Sequence, residues 1–325
     1  MEKLRTTYLG LDLKSPVIVS SSRLTSDLQN LKIAEESGAG AVVLKSLFEE
    51  QIMYHINEVP SLTGYPEADE YIASYTKSHS VDSYITFVRD AKRSLSVPVI
   101  PSVNCFSSGS WIDFASKIED AGADALEVNA FFLPLDRKMN STESEKYYLD
   151  LSEKLVKRLR IPVVMKISQR FSNIMNIVNE FYSRGVKGVV LFNRFYEPDI
   201  DINKLEIIPS NVFSSREEMR HVIRWIAMVS AQGLKIDISA STGVTNGEDA
   251  IKYLLAGADT VQVCSVLYKK GLPFLKDINS EILAWMDHHK FDDIKEFRGM
   301  LNWKNTRKPV VFERTQFMRY FSSED

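Results

Sequence analysis

The chain has 325 residues, 44% of them hydrophobic and 26% charged, a balance that lets it bury a sizeable core and excludes disordered and membrane-bundle classes. Lys plus Arg is 40 and Asp plus Glu is 43, a formal charge of −3 that argues against nucleic acid as a partner, because a phosphate-backbone binder needs a basic excess. Two cysteines make at most one disulfide, no apolar run approaches the roughly 20 residues of a membrane span, and Met1 to Leu13 hold no signal-peptide core, so a reduced, cytoplasmic protein away from membranes is expected.

In chain order, Pro16 to Ser20 reads as a first strand. A recurring phrase then begins: a helix ends in a small-residue turn, and an apolar strand follows that ends in a polar residue. Glu35 to Ala39 leads into Ala41–Leu44 and Lys45-Ser46; Glu119 to Ala123 leads into Ala125–Val128 and Asn129. Tyr182 to Gly185 leads into Gly188–Phe192 and Asn193; Leu254 to Ala258 leads into Thr260–Val263 and Cys264-Ser265. Glycine at such a turn suits a helix C-terminus in the left-handed conformation. Further strands fit at Val97 to Asn104, Ile161 to Lys166 and Ile236 to Ser241. Helical spacing of apolar residues marks Asp82 to Leu95, Trp111 to Ala121, Glu143 to Leu159, Asn173 to Ser183, Glu217 to Ala231 and Asp249 to Leu255. Eight strands alternating with helices predict an α/β fold, a (β/α)8 TIM barrel, with an open doubly wound sheet as the alternative. No G-x-G-x-x-G follows the first strand to favour that alternative.

Two connections are long, Leu47 to about Val81 after the second strand and Arg194 to about Ser215 after the sixth. They read as lids or substrate loops, or else as surface insertions. From Pro273 the chain reads as a C-terminal helical cap with a polar tail from Arg314, all within a single domain over residues 1–325.

Barrel enzymes carry their chemistry at strand C-termini. Here those ends are Ser20-Ser21, Lys45-Ser46, Asn104-Cys105, Asn129, Lys166, Asn193, Ser241-Thr242-Gly243 and Cys264-Ser265. A lysine closing a buried strand is costly without a negative partner, either an anionic ligand or a nearby Asp or Glu. The last two strand ends each turn into a helix start, an arrangement whose backbone N–H groups bind phosphate.

These residues, with Val164-Met165-Lys166, the run from Ser241 to Ala250 and the run from Leu255 to Ser265 followed by Tyr268 and Gly271, resemble the dihydroorotate dehydrogenase family of soluble FMN-dependent barrels from about Thr6 to Leu283. The resemblance implies that Lys166 lies at the flavin edge near N1, and that Lys45 and Ser46 lie between flavin and substrate. It implies that Ser20 and Ser21 line the ring, and that Asn104 and Asn129 hydrogen-bond the flavin. Asn129 and Asn193 would hold substrate, and Ser241, Thr242, Gly243, Cys264 and Ser265 would form the phosphate end. The implied activity is oxidation at a CH–CH bond of a small anionic substrate, dihydroorotate to orotate in pyrimidine biosynthesis, with electrons passing to a soluble acceptor or redox partner. A homodimer is compatible with the resemblance.

The family carries a Cys or Ser base in the loop after the fourth strand. Here that loop reads Asn129-Ala130-Phe131-Phe132-Leu133-Pro134, and Phe132 stands at the base position. Phenylalanine takes no proton, and a general base contributes about 10²–10⁴-fold. The residues His55, Tyr65, Tyr196 and Glu197 are the alternative bases on the long connections, each also readable as an ordinary surface or packing residue. The family's Asn-rich phrase after the second strand is Ser61 to Glu67 here, and Pro134 replaces another asparagine. Arg194, following Asn193, either clamps a carboxylate or faces water. Cys105 reads as a buried structural thiol, and His288-His289 lack partners at metal spacing, so no metal is expected. No Cys-rich run for an iron–sulfur cluster is present. The alternatives to the leading reading are a related FMN enzyme with another substrate, a flavin-free lyase or isomerase using Lys45 or Lys166 as a Schiff-base amine, and an electron-relay flavoprotein subunit.

Overall fold

The computed structural model describes residues 2–55, 81–107, 109, 111–195 and 197–313. Among them eight barrel strands run parallel. Strand 1 is Val17–Val19; strand 2 is Ala41–Val43, continued as Leu47–Phe48; strand 3 is Val99–Ile100, continued as Ser102–Cys105. Strands 4 to 8 are Leu126–Ala130, Val163–Ile167, Gly188–Leu191, Asp237–Ser241 and Thr260–Val263. Pro101, which has no N–H, stands at the break in strand 3.

The ring closes. The first piece of strand 2 pairs with the first piece of strand 3 and the second with the second, Val42 opposite Val99 and Leu47 opposite Val103, and strand 8 pairs with strand 1, Val263 opposite Val19. An open sheet would leave two edges, so the doubly wound alternative is overturned. The strands are short and rich in β-branched residues because both faces are buried.

Helices Leu28–Glu36, Val81–Ser94, Trp111–Asp120, Ser141–Arg158, Ile174–Ser183, Met219–Ser230, Gly247–Ala256 and Leu275–His289 surround the strands, and those adjacent in this order pack together. Polar side chains start them where the sequence supplies one: Asp27, Asn140 in a capping box with Glu143, Asn173 and Asn246. Leu275–His289 begins the C-terminal helical segment and takes the eighth helical place. It lies against Gly247–Ala256, and Asn279 reaches across to accept from the Ser15 hydroxyl and donate to the Gly38 carbonyl.

Inside the barrel, alternation sorts the strand residues. Ile18, Ala41, Val43, Ile100, Ala125, Val164 and Val190 form an apolar floor, closed from below by Tyr8, Leu9 and Leu13. The latter come from an antiparallel hairpin, Thr6–Tyr8 with Leu11–Leu13, that the sequence reading did not separate. Gly188 lets the hairpin come close, since a Cβ there would sit 2.6 Å from Leu9 Cδ2 and the leucine would have to shift.

Both long connections carry structure of their own. The first begins with the strand 2 continuation and a helix, Glu49–His55, before residues 56–80, which lie outside the described set. The second forms an antiparallel hairpin, Pro198–Asp201 with Glu206–Pro209, and exposes Ile200, Ile202, Leu205 and Ile207. No helix among the described residues is long and apolar enough to cross a membrane.

Candidate active site

One register row crosses the barrel mouth: Asn104 lies opposite Asn129, and Asn129 opposite Lys166. Neighbouring strands lie about 4.8 Å apart, so these three side chains share one edge of the mouth. Two residues below Asn129 on the same face is Glu127, 1% exposed. Lys166, 6% exposed, donates from Nζ to Glu127 Oε1 at 3.3 Å, to Gln262 Oε1 at 3.1 Å and to Ser20 Oγ at 3.1 Å. Gln262 Nε2 donates to Glu127 Oε2 at 2.6 Å, and Ser20 Oγ donates to Gln262 Oε1 at 3.0 Å. Four buried polar side chains from strands 1, 4, 5 and 8 thus satisfy one another, which is what makes two buried charges tolerable.

Above the network is a cavity of about 180 Å³. Lys166 forms part of its base, and Ser20, Ser21, Asn193, Ser241, Thr242 and Gln262 line it. At its far end the long connection after strand 6 contributes Ser214. Gly243 N donates to Ser214 Oγ at 3.2 Å, and Ser265 Oγ accepts from both Ser214 N and Ser214 Oγ at 3.1 Å. Thr242 and Gly243 both have left-handed backbone, φ +87° and +78°. A Cβ on Gly243 would lie 2.5 Å from Met219 Cγ and 2.8 Å from Ser215 O, so only glycine fits. Cys264 opens the helix Ser265–Lys270 without a side-chain cap.

The sequence-predicted residues therefore fall into groups. Ser20, Ser21, Lys166, Asn193, Ser241, Thr242, Gly243, Cys264 and Ser265 line the cavity. Ser46 bonds Ser21 at 3.1 Å and Ser102 at 2.8 Å. Lys45, Asn104 and Asn129 stand beside the cavity on strands 2 to 4, outside its lining. Arg194 is partly buried and lines the same cavity as Lys166. Its Nε donates to Glu218 Oε2 at 3.0 Å and its Nη1 to the Val212 carbonyl at 3.0 Å, tying the long connection to the barrel.

Phe132 does not reach the cavity. Its ring lies 4.9 Å from Tyr147, and the Tyr148 hydroxyl bonds its backbone on both sides. Phe131 packs on Phe195 at 4.5 Å. Of the alternative bases, Glu197 is held in an ion pair with Arg170. Tyr65, Tyr196 and the side chain of His55 lie outside the described residues. Cys105 is fully buried, and burial pushes its thiol well above the ordinary range, an inert setting. Glu127, Gln262, Ser102 and Ser214 were missed. The first three had a signal: each is polar, at an inward position of an otherwise apolar strand.

The dihydroorotate dehydrogenase family model matches residues 3–286. The chain belongs to the dihydroorotate dehydrogenase family. A Thermoplasma volcanium protein named dihydroorotate dehydrogenase B (NAD(+)), catalytic subunit, is 28% identical over 92% of this chain and 99% of its own. Proteins of the same name from Thermoplasma acidophilum and Methanocaldococcus jannaschii are 28% and 26% identical, over 92% and 91% of this chain and 99% and 97% of theirs. As a member of this family the chain is an oxidoreductase acting on a CH–CH bond, with FMN as its cofactor.

The residues present fit that cofactor. Asn129 Oδ1 is buried without a hydrogen-bond partner, an acceptor held for something the protein itself does not supply. The glycine cradle, the uncapped helix start and the Ser214–Ser265 pair offer donors suited to a phosphate. Lys166 supplies a cation at the other end of the same cavity. The departure from the family lies in the loop after strand 4, where Phe132 packs into an aromatic cluster with Tyr147, Tyr148 and Phe171.

Proposed function

We propose that the chain oxidises dihydroorotate to orotate, with FMN seated between Lys166 and the Gly243–Ser265 corner. FMN, when bound, takes up a hydride from a substrate carbon, and negative charge gathers at its N1–C2 edge. The observation that carries the reading is Lys166, a cation fixed at the cavity base by three buried partners. A preorganised charge of this kind favours charge development without reorganisation. Asn129 and Asn193 offer amides for the substrate, and Ser20 and Ser21 line the ring's side of the cavity. Phe131, Phe132, Leu133 and Pro134 take no proton, so the proton that accompanies the hydride passes to another acceptor, water or a side chain of the long connections.

Electrons leave this site to a separate redox subunit. The support is that the relatives above are named as catalytic subunits of NAD(+) enzymes. The exposed Ile200, Ile202, Leu205 and Ile207 give an apolar face for a second copy of the chain in the cytoplasm. A Schiff base on Lys166 is disfavoured by the same contacts that support the flavin: its Nζ is already engaged by a carboxylate, an amide and a hydroxyl.

The test is an absorbance spectrum of the purified protein, repeated anaerobically after dihydroorotate is added. Bleaching of a flavin spectrum supports the proposal. A flavin spectrum that persists with dihydroorotate but bleaches with dithionite means a family member with another substrate. No flavin, even after FMN is supplied, overturns the reading of the cavity.

A further inference from the structure

Glu127 sits one layer beneath the cavity, 1% exposed and absent from its lining, with Lys166 between it and the ligand space. Nothing in the reading above assigns it a role. Its carboxylate is held on two sides, by Lys166 Nζ at 3.3 Å and by Gln262 Nε2 at 2.6 Å. Gln262 is in turn oriented, because its Oε1 accepts from Lys166 and from Ser20. The ammonium therefore faces the cavity with an opposite charge fixed directly behind it. A ligand edge that becomes negative meets a Lys–Glu dipole rather than a bare cation.

We propose that Glu127 is a positioning residue that fixes Lys166 beneath the flavin edge and offsets its charge, and so sets the flavin's reduction potential. This rests on the reading that FMN occupies the cavity. The sign follows from the charges. Reduction adds negative charge at the edge facing Lys166, so a lysine relieved of its carboxylate favours the reduced form more strongly. Removing the carboxylate while keeping its shape then raises the potential. Removing the ammonium lowers it.

The network also supplies its own control. In the double variant Glu127→Gln with Gln262→Glu, the carboxylate moves from strand 4 to strand 8. The new amide still donates to the carboxylate, and the carboxylate still accepts from Lys166 and Ser20. The midpoint potential of bound FMN is measured by equilibration with a reference dye, for wild type, Glu127→Gln, the double variant and Lys166→Met. Glu127→Gln is expected to shift the reduced-to-oxidised partition at least tenfold toward reduced, about 30 mV upward for a two-electron couple. The double variant returns most of that shift, and Lys166→Met moves the potential down. An unchanged potential in Glu127→Gln overturns the proposal. So does a fall like that of Lys166→Met, which would mean that the carboxylate only holds the lysine in place. Should Glu127→Gln fail to fold, the double variant decides alone: a potential near wild type supports charge compensation, and one near Lys166→Met overturns it. A wild-type protein that takes up no FMN refutes the cavity reading instead, a result distinct from bound flavin whose potential does not respond.

Discussion

The floor and the mouth of the barrel are built on the same strands and obey opposite rules. Along one inward face the sequence switches from apolar to polar within two residues: Ile18 to Ser20, Val43 to Lys45, Ala125 to Glu127, Val164 to Lys166. Below the switch, Tyr8, Leu9 and Leu13 plug a packed apolar layer. Above it, buried charges and amides hold one another in fixed directions. The floor contributes stability without touching a ligand. The mouth must do both, since Lys166, Ser20 and Gln262 line the cavity and are also partners on which one another and Glu127 depend.

That difference predicts how substitutions divide. Lys166→Ala has the largest effect because it fails on both counts. It removes the cation at the cavity base, slowing flavin reduction about 10²–10³-fold, and it leaves Glu127 buried without its partner, which costs about 3–5 kcal/mol. Stopped-flow reduction and denaturant unfolding read the two losses separately; normal colour and turnover would remove Lys166 from the site. Tyr8→Ala comes next and fails on one count only. Emptying a fully buried aromatic position costs about 3–5 kcal/mol of stability, measured by urea unfolding, while the flavin spectrum of the folded fraction stays as in wild type. Altered flavin binding at unchanged stability would erase the distinction between floor and mouth.

The barrel was legible because its repeating unit is local: a helix C-terminus, a glycine turn and a short β-branched run lie within some fifteen residues of one another, about the length of one βα phrase. Closure was less legible, since it depends on pairing between the two broken strands 41–48 and 99–105, a contact the local pattern does not contain. The hairpins at Thr6–Leu13 and Pro198–Pro209 were missed because each is a few residues long, and the second has no buried face to impose alternation. At the site, the polar residues next to a strand's C-terminal turn were found, while Glu127, deeper in strand 4, and Gln262, flanked by Val261 and Val263, were not. Glu127 and Gln262 announce themselves only once the inward face of each strand is known, which is a statement about neighbours rather than sequence. Arg194 could not be placed without Glu218, twenty-four positions further along and brought to it by the long connection.

The comparison sharpens at the loop after strand 4, where the mouth has taken on the floor's character. Phe132 packs with Tyr147 and Tyr148 as a core residue would. Phe132→Cys restores a group able to take a proton, and dihydroorotate-dependent bleaching should accelerate by up to about 10²-fold, the lower range of general-base effects. Rapid mixing at several pH values reads it: the gain should grow as the new thiol ionises, and a gain that ignores pH would come from altered packing instead.

The smallest effect lies at the rim. Asp249, wholly buried in the first turn of Gly247–Ala256, accepts from Thr245 N at 3.1 Å, Thr245 Oγ1 at 2.7 Å, Lys252 Nζ at 3.2 Å and Arg216 Nε at 2.8 Å. Burial works to raise its carboxyl, but the bonds from Thr245, Lys252 and Arg216 outweigh it and hold the group below its ordinary range. A carboxylate depressed in the folded state contributes stability above its unfolded pKa of about 3.9 and loses it as pH falls through the folded value. Asp249→Asn should therefore cost about 1–3 kcal/mol at neutral pH, and the gap to wild type should narrow as the pH is lowered below about 4. Because Thr245 directly follows the Thr242–Gly243–Val244 turn, the same variant should loosen FMN before it unfolds the barrel. Parallel titrations of flavin release and of unfolding separate the two: release at lower denaturant than unfolding is expected, and coincident curves would show that the rim and the floor melt as one unit.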